Sequence, residues 1–159
     1  PSHALTSDFT INSLGVERLG PNMGRIIVHL HGKPSDKKLG SLIDEYCLRL
    51  KSKVRLEIHS VKLSNEEYFS RIPINAILLD ESGEMITSLD FSKRFNEWGL
   101  DSEETHLAIG PADGFPKGHN RKAISLSPMT FPHELAAVLL VEQLYRAFEI
   151  SRGSAYHRV

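Results

Sequence analysis

The order of the predicted elements indicates an α/β fold with a mainly parallel sheet. Short β-rich or apolar runs alternate along the chain with segments whose apolar residues recur at helical spacing. This alternation is typical of parallel strands flanked by helices. The chain has 159 residues, of which 40% are apolar and 25% are charged. That length and balance are typical of one globular domain with a substantial core.

Five segments are predicted as strands. Residues 26–30 form a short β-rich run, and residues 54–61 alternate polar with apolar side chains, as a half-buried strand does. The other three are short apolar runs, typical of strands covered on both faces. They span residues 74–79, 106–109 and 123–126. Residues 80–84, which include Gly83, are predicted as a turn.

Three helices are predicted among these strands. Ser35 or Asp36 is expected to cap the first, whose apolar residues extend to Leu50. The second covers residues 64–71, and the third opens at Ser88. Apolar residues at helical spacing support the first and the third.

The last predicted helix, residues 130–151, is the most apolar element of the chain. Its apolar residues wrap more than one stripe, which is more than a surface helix needs. Two interpretations stay open: a central core helix, or a helix with one face on the core and another in a dimer interface. At its start, Thr130 is expected either to cap the helix that Pro132 enters or to belong to a ligand-binding loop.

Composition and charge limit the classes of protein to which this chain could belong. Nineteen basic and twenty acidic side chains give a formal net charge of −1, so any binding to phosphate needs a local basic patch. The single cysteine cannot form an internal disulfide, and no apolar run reaches the roughly 18 residues that span a bilayer. Residues 1–24 are predicted as a loosely ordered extension and residues 25–159 as one domain. We expect a cytoplasmic protein without membrane contact, or one of an organelle matrix or stroma if the extension is a targeting remnant.

The sequence lacks the motifs of several common nucleotide-binding and metal-binding sites. It contains no G-x-G-x-x-G, no phosphate-binding P-loop, no H-E-x-x-H and no cysteine pair for zinc. His29 and His31 share one face of a predicted strand and could chelate a metal. No carboxylate is close to them in sequence, and such histidines are more often polar surface or core residues, so we expect no metal site.

Two loops near the end of the chain are candidate ligand sites, because ligands of open α/β sheets sit beyond the carboxyl ends of the strands. One covers residues 109–114, where glycines let the backbone approach a ligand closely. The other covers residues 125–133, where small hydroxyl side chains could hydrogen-bond a ligand. Each is also compatible with an ordinary turn. A hydrolase site at Ser127 and His133 is disfavoured, since no G-x-S-x-G elbow surrounds the serine.

The last residues place an aromatic ring, an imidazole and a guanidinium in a row, at Tyr156, His157 and Arg158. They form either a frayed end or a segment that stacks on an RNA base and bonds its phosphate.

The sequence resembles the RlmH-type family, the large-subunit ribosomal RNA pseudouridine N3-methyltransferases of the SPOUT superfamily. The resemblance is strongest over residues 79–158, about half of the chain. Its most specific blocks lie in order at residues 109–110, 125–133, 142–147 and 156–158.

The resemblance implies a C-terminal trefoil knot and a homodimer in which each pocket is completed by the partner subunit. It implies S-adenosylmethionine as cofactor, S-adenosylhomocysteine as product and ribosomal RNA as substrate. The cofactor contacts of the family fall here on Leu79, Gly110, Leu126, Ser127, Pro128, Met129, Thr130 and Phe131.

The candidate catalytic residues are Arg146, Tyr156, His157 and Arg158. His157 is a candidate for handling the N3 proton because an unperturbed imidazole titrates near neutrality. Arg146 and Arg158 would position phosphate or stabilise charge on the base.

Two residues depart from the family pattern. The family usually has a second glycine where Pro111 stands, so one amide donor is lost, and it usually has an arginine where Ala137 stands. An alternative therefore stays open: a weakened or inactive knotted dimer that binds the ribosome as an assembly factor.

Overall fold

The computed structural model describes residues 24–158 and the backbone of residues 9–12 and 15–18. The strands are β1 (Phe9–Asn12), β2 (Gly15–Arg18), β3 (Ile26–His31), β4 (Val54–His59), β5 (Ile77–Met85), β6 (Thr105–Ile109) and β7 (Ala123–Ser125). The helices are α1 (Lys37–Arg49), α2 (Asn65–Arg71), α3 (Ser88–Gly99) and α4 (His133–Ser151).

The central sheet has five strands in the order β4-β3-β6-β5-β7, and every neighbouring pair is parallel. The predicted α/β class with a mainly parallel sheet is therefore confirmed. A separate antiparallel pair joins β1 to β2. The trefoil knot stays a prediction.

The sheet buries two apolar clusters, one on each face. The larger cluster joins the sheet to α1, α3 and α4, and Leu140, Val141 and Leu144 at its centre are fully buried. The smaller cluster lies on the opposite face, where Tyr68 of α2 and Ile72, which directly follows the helix, pack on the sheet. The Tyr68 hydroxyl donates a hydrogen bond of 2.6 Å to the Ile109 carbonyl, which ties α2 to the end of β6.

Side-chain caps fix the start of the first three helices. Asp36, one of the two predicted caps of α1, accepts hydrogen bonds from the amides of Lys38 and Leu39. Ser64 and Glu67 form a reciprocal capping box on α2, and Thr87 caps α3.

The last helix begins three residues later than predicted. Pro132 is its N-cap and makes no side-chain cap hydrogen bond. The Thr130 hydroxyl instead donates to the Glu81 carboxylate. The expectation that Thr130 caps the helix is therefore wrong, because its hydroxyl is used to join two loops.

Strand β5 also differs from its prediction at both ends. It starts at Ile77 rather than residue 74, and Ile74 is 79% exposed. It continues to Met85 through the predicted turn, because β7 pairs with it twice. Residues 78–79 pair with 123–124, and residues 84–85 pair with 124–125, so residues 80–83 form an irregularity within one strand.

Helix α4 is a core helix within one chain. Seven of its residues are buried, and the exposed large apolar side chains of the described chain all lie outside it. The sequence left open that an exposed apolar face of this helix forms a dimer interface. The described residues show no such face, because α1 and α3 pack on the helix. The oligomeric state stays a prediction.

The predicted extension, residues 1–24, lies outside the described residues except for the strand backbones and Gly24. Across the portion of the chain that the structure describes, no helix is long and apolar enough to cross a membrane.

We predict that Gly83→Ala destabilises the protein, whereas Gly99→Ala does not. A Cβ at position 83 would lie 2.6 Å from the Ala123 carbonyl carbon and 2.7 Å from the Ile124 amide nitrogen. These atoms belong to one peptide unit of the β7 backbone, which would have to move to admit the Cβ. At position 99 a Cβ meets nothing within 4 Å, and alanine in a helix gains about 0.5–1 kcal/mol over glycine. Urea unfolding of both variants measures the difference, and equal stabilities would contradict the close approach.

Candidate active site

A cavity of about 240 Å³ lies where the irregular segment of β5 meets the loops that follow β6 and β7. The three strands are neighbours and parallel, so residues 77–79 of β5, before the irregularity, end at the same edge of the sheet as β6 and β7. The start of α4 closes the cavity with His133 and Ala136. This is the edge that the sequence indicated as the candidate ligand site.

The loop after β6 forms one wall. Gly110 follows the strand directly, and the Gly114 amide donates to the Pro111 carbonyl at 2.8 Å, which closes a turn. Gly114 has a φ of +81°, in the region that favours glycine. A Cβ on Gly110 would meet the ring of Phe115 at 3.3 Å, so this wall has little spare room.

The loop after β7 forms the opposite wall. The Ser125 hydroxyl donates to the Ser127 carbonyl at 2.6 Å, and the Met129 amide donates to the Ser127 hydroxyl at 3.0 Å. These short-range bonds fix the backbone between β7 and α4. The Met129 side chain is 69% exposed at the rim of the cavity. The hydrogen bond from Thr130 to Glu81 links this wall to the irregular segment of β5.

Seven of the eight predicted cofactor contacts line this one cavity. They are Leu79, Gly110, Leu126, Ser127, Met129, Thr130 and Phe131. Pro128 is exposed and does not line it. Their role in cofactor binding stays a prediction.

Three carboxylates at the cavity were missed by the sequence reasoning. Asp80, Glu81 and Asp113 all line it. Asp80 and Glu81 were read as part of a turn, and the double pairing of β5 with β7 brings them to the site. Asp80 accepts hydrogen bonds from the Ser82 amide at 3.1 Å and lies 3.0 Å from His119 Nε2. The cavity therefore has an acidic rim suited to a cationic ligand.

Burial acts against ionisation of Asp80 and on its own would raise its pKa. The hydrogen bonds from Ser82 and the contact with His119 outweigh it, and the pKa of Asp80 lies below its usual value. Asp80 therefore carries a negative charge at neutral pH.

The predicted catalytic residues form a second group, on the far half of α4. Tyr156 donates to Glu142 at 2.8 Å, and its ring packs edge-on against Tyr145 with centroids 4.9 Å apart. Arg146 bonds the same Glu142 oxygen at 2.8 Å and lies 3.0 Å from His157 Nδ1. The chain end is thus folded back onto α4, although Arg158 is exposed.

The two groups are separate within one chain. None of Arg146, Tyr156, His157 and Arg158 lines the cavity. The cavity contacts α4 at Ala136, and ten residues of helix separate Ala136 from Arg146, which is about 15 Å along the axis. The structure therefore places the predicted cofactor residues and the predicted catalytic residues in two separate groups within one chain.

The chain is similar to known methyltransferases. The family described as "Predicted SPOUT methyltransferase" matches residues 25–157. Two relatives from strains of Prochlorococcus marinus are both named "Ribosomal RNA large subunit methyltransferase H". One is 40% identical over 71% of this chain and 82% of its own, and the other is 37% identical over 88% of this chain and 99% of its own.

Similarity to solved structures is more distant. A putative methyltransferase of Legionella pneumophila, solved with bound cofactor SAM, is 13% identical with a TM-score of 0.39, over 84% of this chain and 71% of that one.

We predict that Asp80→Asn lowers stability at pH 7 more than at pH 3. Because the pKa of Asp80 is lower in the folded chain, its ionised form stabilises the fold above the unfolded pKa of about 3.9. That contribution is lost as the pH falls through the folded value, so the two proteins should converge in acid. Thermal melts across this range test it, with the exposed Asp44→Asn as control. A constant difference at every pH would exclude the carboxylate as its cause.

Proposed function

Because the chain belongs to the SPOUT methyltransferase family, we propose that it transfers a methyl group from S-adenosylmethionine to RNA of the large ribosomal subunit. The observation that carries this proposal is the cavity between the irregular segment of β5 and the loops after β6 and β7, because it is lined by seven of the eight residues that the family resemblance assigns to the cofactor. The curated relatives bear the name of a large-subunit ribosomal RNA methyltransferase. The proposed compartment is one that contains ribosomes, the cytoplasm or an organelle matrix or stroma.

The lining of the cavity fits this cofactor. Leu79 and Met129 offer apolar surface for the adenosine, and Gly110 itself presents backbone without a side chain. Asp80, Glu81 and Asp113 offer negative charge to the sulfonium and the ammonium groups. Asp80 is partly buried, so its carboxylate stabilises a nearby cation more than it would in water.

We propose N3 of a pseudouridine as the methyl acceptor. When bound, S-adenosylmethionine supplies an electrophilic methyl, and transfer forms an N–C bond, breaks the S–C bond and leaves S-adenosylhomocysteine. The N3 proton leaves to water, since an imide nitrogen is acidic. The protein would accelerate the step mainly by holding N3 and the methyl carbon about 3–3.5 Å apart.

The hydrogen bond to Arg146 changes the expected role of His157. A guanidinium only donates, so His157 Nδ1 must accept, and the neutral ring then carries its proton on Nε2. In this arrangement His157 presents a donor to the substrate rather than a base. We propose that it bonds a carbonyl of the pseudouridine and stabilises negative charge there. Tyr156 offers a face for stacking, and the exposed Arg158 would contact phosphate.

We propose that the working unit is a homodimer in which the partner's chain end reaches the cavity. The separation of the cavity from the Arg146 group along α4 supports this arrangement. A trefoil knot formed by the loops around the cavity is part of the same proposal, since the matched family residues occupy those loops.

The alternative, a ribosome-binding protein that no longer methylates, is favoured by one observation. Pro111 is buried beside Gly110 and has no amide to offer a ligand. The second departure from the family pattern, Ala137, supports this alternative less, because Ala137 is only 2% exposed and packs in the core. A small residue at that place suits the packing around it.

The test of the proposed function is incubation with large ribosomal subunits that lack the modification and with S-adenosylmethionine carrying a labelled methyl. The expected result is label on one pseudouridine of the ribosomal RNA, at N3. Cofactor binding without label on RNA would instead support the alternative. Label at another atom would retain the activity and overturn the assigned acceptor.

We predict a graded loss of cofactor affinity from Gly110→Ala to Gly110→Val. The alanine Cβ would sit 3.3 Å from the Phe115 ring, which a few tenths of an ångström of movement can relieve. The two further methyl groups of valine would push Phe115 into the cavity, so we expect at least a tenfold weaker affinity, about 1.4 kcal/mol. Isothermal titration measures it, with circular dichroism as the check on folding. Equal affinities for wild type and valine would remove this loop from the site.

We predict that two impaired variants restore activity when they are mixed, at a cofactor concentration too low to fill the weakened cavity of Gly110→Val. Gly110→Val keeps an intact chain end, and His157→Ala keeps an intact cavity. When the two variants are unfolded and refolded together, half of the dimers contain one chain of each. In each mixed dimer, one of the two sites combines the intact cavity of His157→Ala with the intact chain end of Gly110→Val. About a quarter of wild-type activity should return. Absence of recovery, with dimers present by sedimentation, would show that each chain completes its own site.

A further inference from the structure

We infer that the face of the sheet opposite α4 holds a binding site for a divalent transition-metal ion of the zinc class, with His29, Glu57 and His59 as ligands. This site is distinct from the cavity, since none of the three residues lines it. One ligand atom from each of the three side chains lies within 4.8 Å of the other two.

Strand pairing brings these residues together. His29 of β3 is directly opposite Glu57 of β4, and His59 is two residues further along the same strand. Alternate residues of a strand share a face, so Glu57 and His59 project on the side where His29 lies. The other face of β3 carries the large apolar cluster. The donors therefore converge on the more polar side of the sheet.

The distances fit a shared ion. His29 Nδ1 lies 2.9 Å from His59 Nε2, and His59 Nε2 lies 3.8 Å from Glu57 Oε2. Two ligand nitrogens on a tetrahedral ion, each at about 2.0–2.1 Å, stand roughly 3.3 Å apart. Shifts of a few tenths of an ångström would therefore admit the ion in place of the hydrogen bond between the two rings.

A third histidine orients the first. His29 Nε2 lies 2.9 Å from His106 Nδ1 on β6. If His29 carries its proton on Nε2 and donates it to His106, its Nδ1 lone pair is directed at the ion. Ligating histidines commonly have such a partner on the second nitrogen, and its loss typically costs 10–100-fold in metal affinity. His106 is thus a positioning residue for this site.

The donor set selects the class of ion. Two imidazoles and one carboxylate suit zinc and its neighbours, whereas magnesium and calcium prefer all-oxygen sites. Arg55 lies 3.6 Å from the other carboxylate oxygen of Glu57 and competes for its charge. Three protein ligands leave a fourth position for water. We therefore expect one ion per chain and weaker binding than in a closed four-ligand site.

The test uses the full chain and titrates it with Co²⁺, followed by visible absorption, and with Zn²⁺ against a chromophoric chelator. The expected result is one equivalent bound at pH 7.5, with a low-symmetry cobalt spectrum of mixed nitrogen and oxygen ligands. Glu57→Gln should weaken binding at least tenfold and His59→Gln further. Because Glu57 and His59 are only partly buried, these variants avoid the folding risk of replacing His29, which is 2% exposed.

His59, His29 and His106 form a row of hydrogen-bonded histidines, the histidine row. Two further variants lie at its His106 end. Glu104 is 3.9 Å from His106 Nε2 but is not a ligand, so Glu104→Gln should bind as wild type does. His106→Asn should weaken binding 10–100-fold without changing the stoichiometry. Failure to bind one equivalent, or binding that Glu57→Gln and His59→Gln leave unchanged, would overturn the site.

Discussion

The candidate active site depends on how closely β7 approaches β5 at Gly83. Strand β7 pairs with β5 before and after residues 80–83, and those four residues are displaced from the pairing between them. The displaced segment carries Asp80 and Glu81 to the cavity, and β7 leads directly into the loop with Met129 and Thr130. The absence of a Cβ at Gly83 is what permits the approach. The positions of the irregular segment of β5 and of the loop after β7 thus follow from one backbone contact.

Local sequence patterns predicted most of the helices and strands, whereas contacts between distant parts of the chain determine where some of them begin and end. The apolar runs of β3, β6 and β7 and the capping of α1 by Asp36 are local features, and they are found as expected. Strand β5 runs past its apolar segment because a partner far along the chain, β7, continues to pair with it. Helix α4 starts late because Thr130 bonds Glu81, a contact across 49 residues. Neither partner is visible from local sequence.

The same limit applies to the side chains that meet in space. The family resemblance predicted which loop residues line the cavity, whereas the three carboxylates at its rim could be identified only from the folded structure. The histidine row is a stronger case, because His29 is 30 residues from His59 and 77 from His106. Only the strand order β4-β3-β6 makes them neighbours. His31, which the sequence paired with His29, bonds the Leu63 carbonyl instead and stacks on Tyr68.

Helix α4 sets the geometry of the proposed reaction. Its first turn faces the cavity, and its far half holds Tyr156 and His157 through Glu142 and Arg146. A continuous helix has no hinge that could bring its two ends together, so the groups stay apart in one chain. For the proposed homodimer, a two-fold axis perpendicular to α4 offers the simplest solution, since it places each end of one helix beside the opposite end of its partner. The proposed closing of the chain end on the base would cost less conformational entropy, because Tyr156 and His157 already pack on α4.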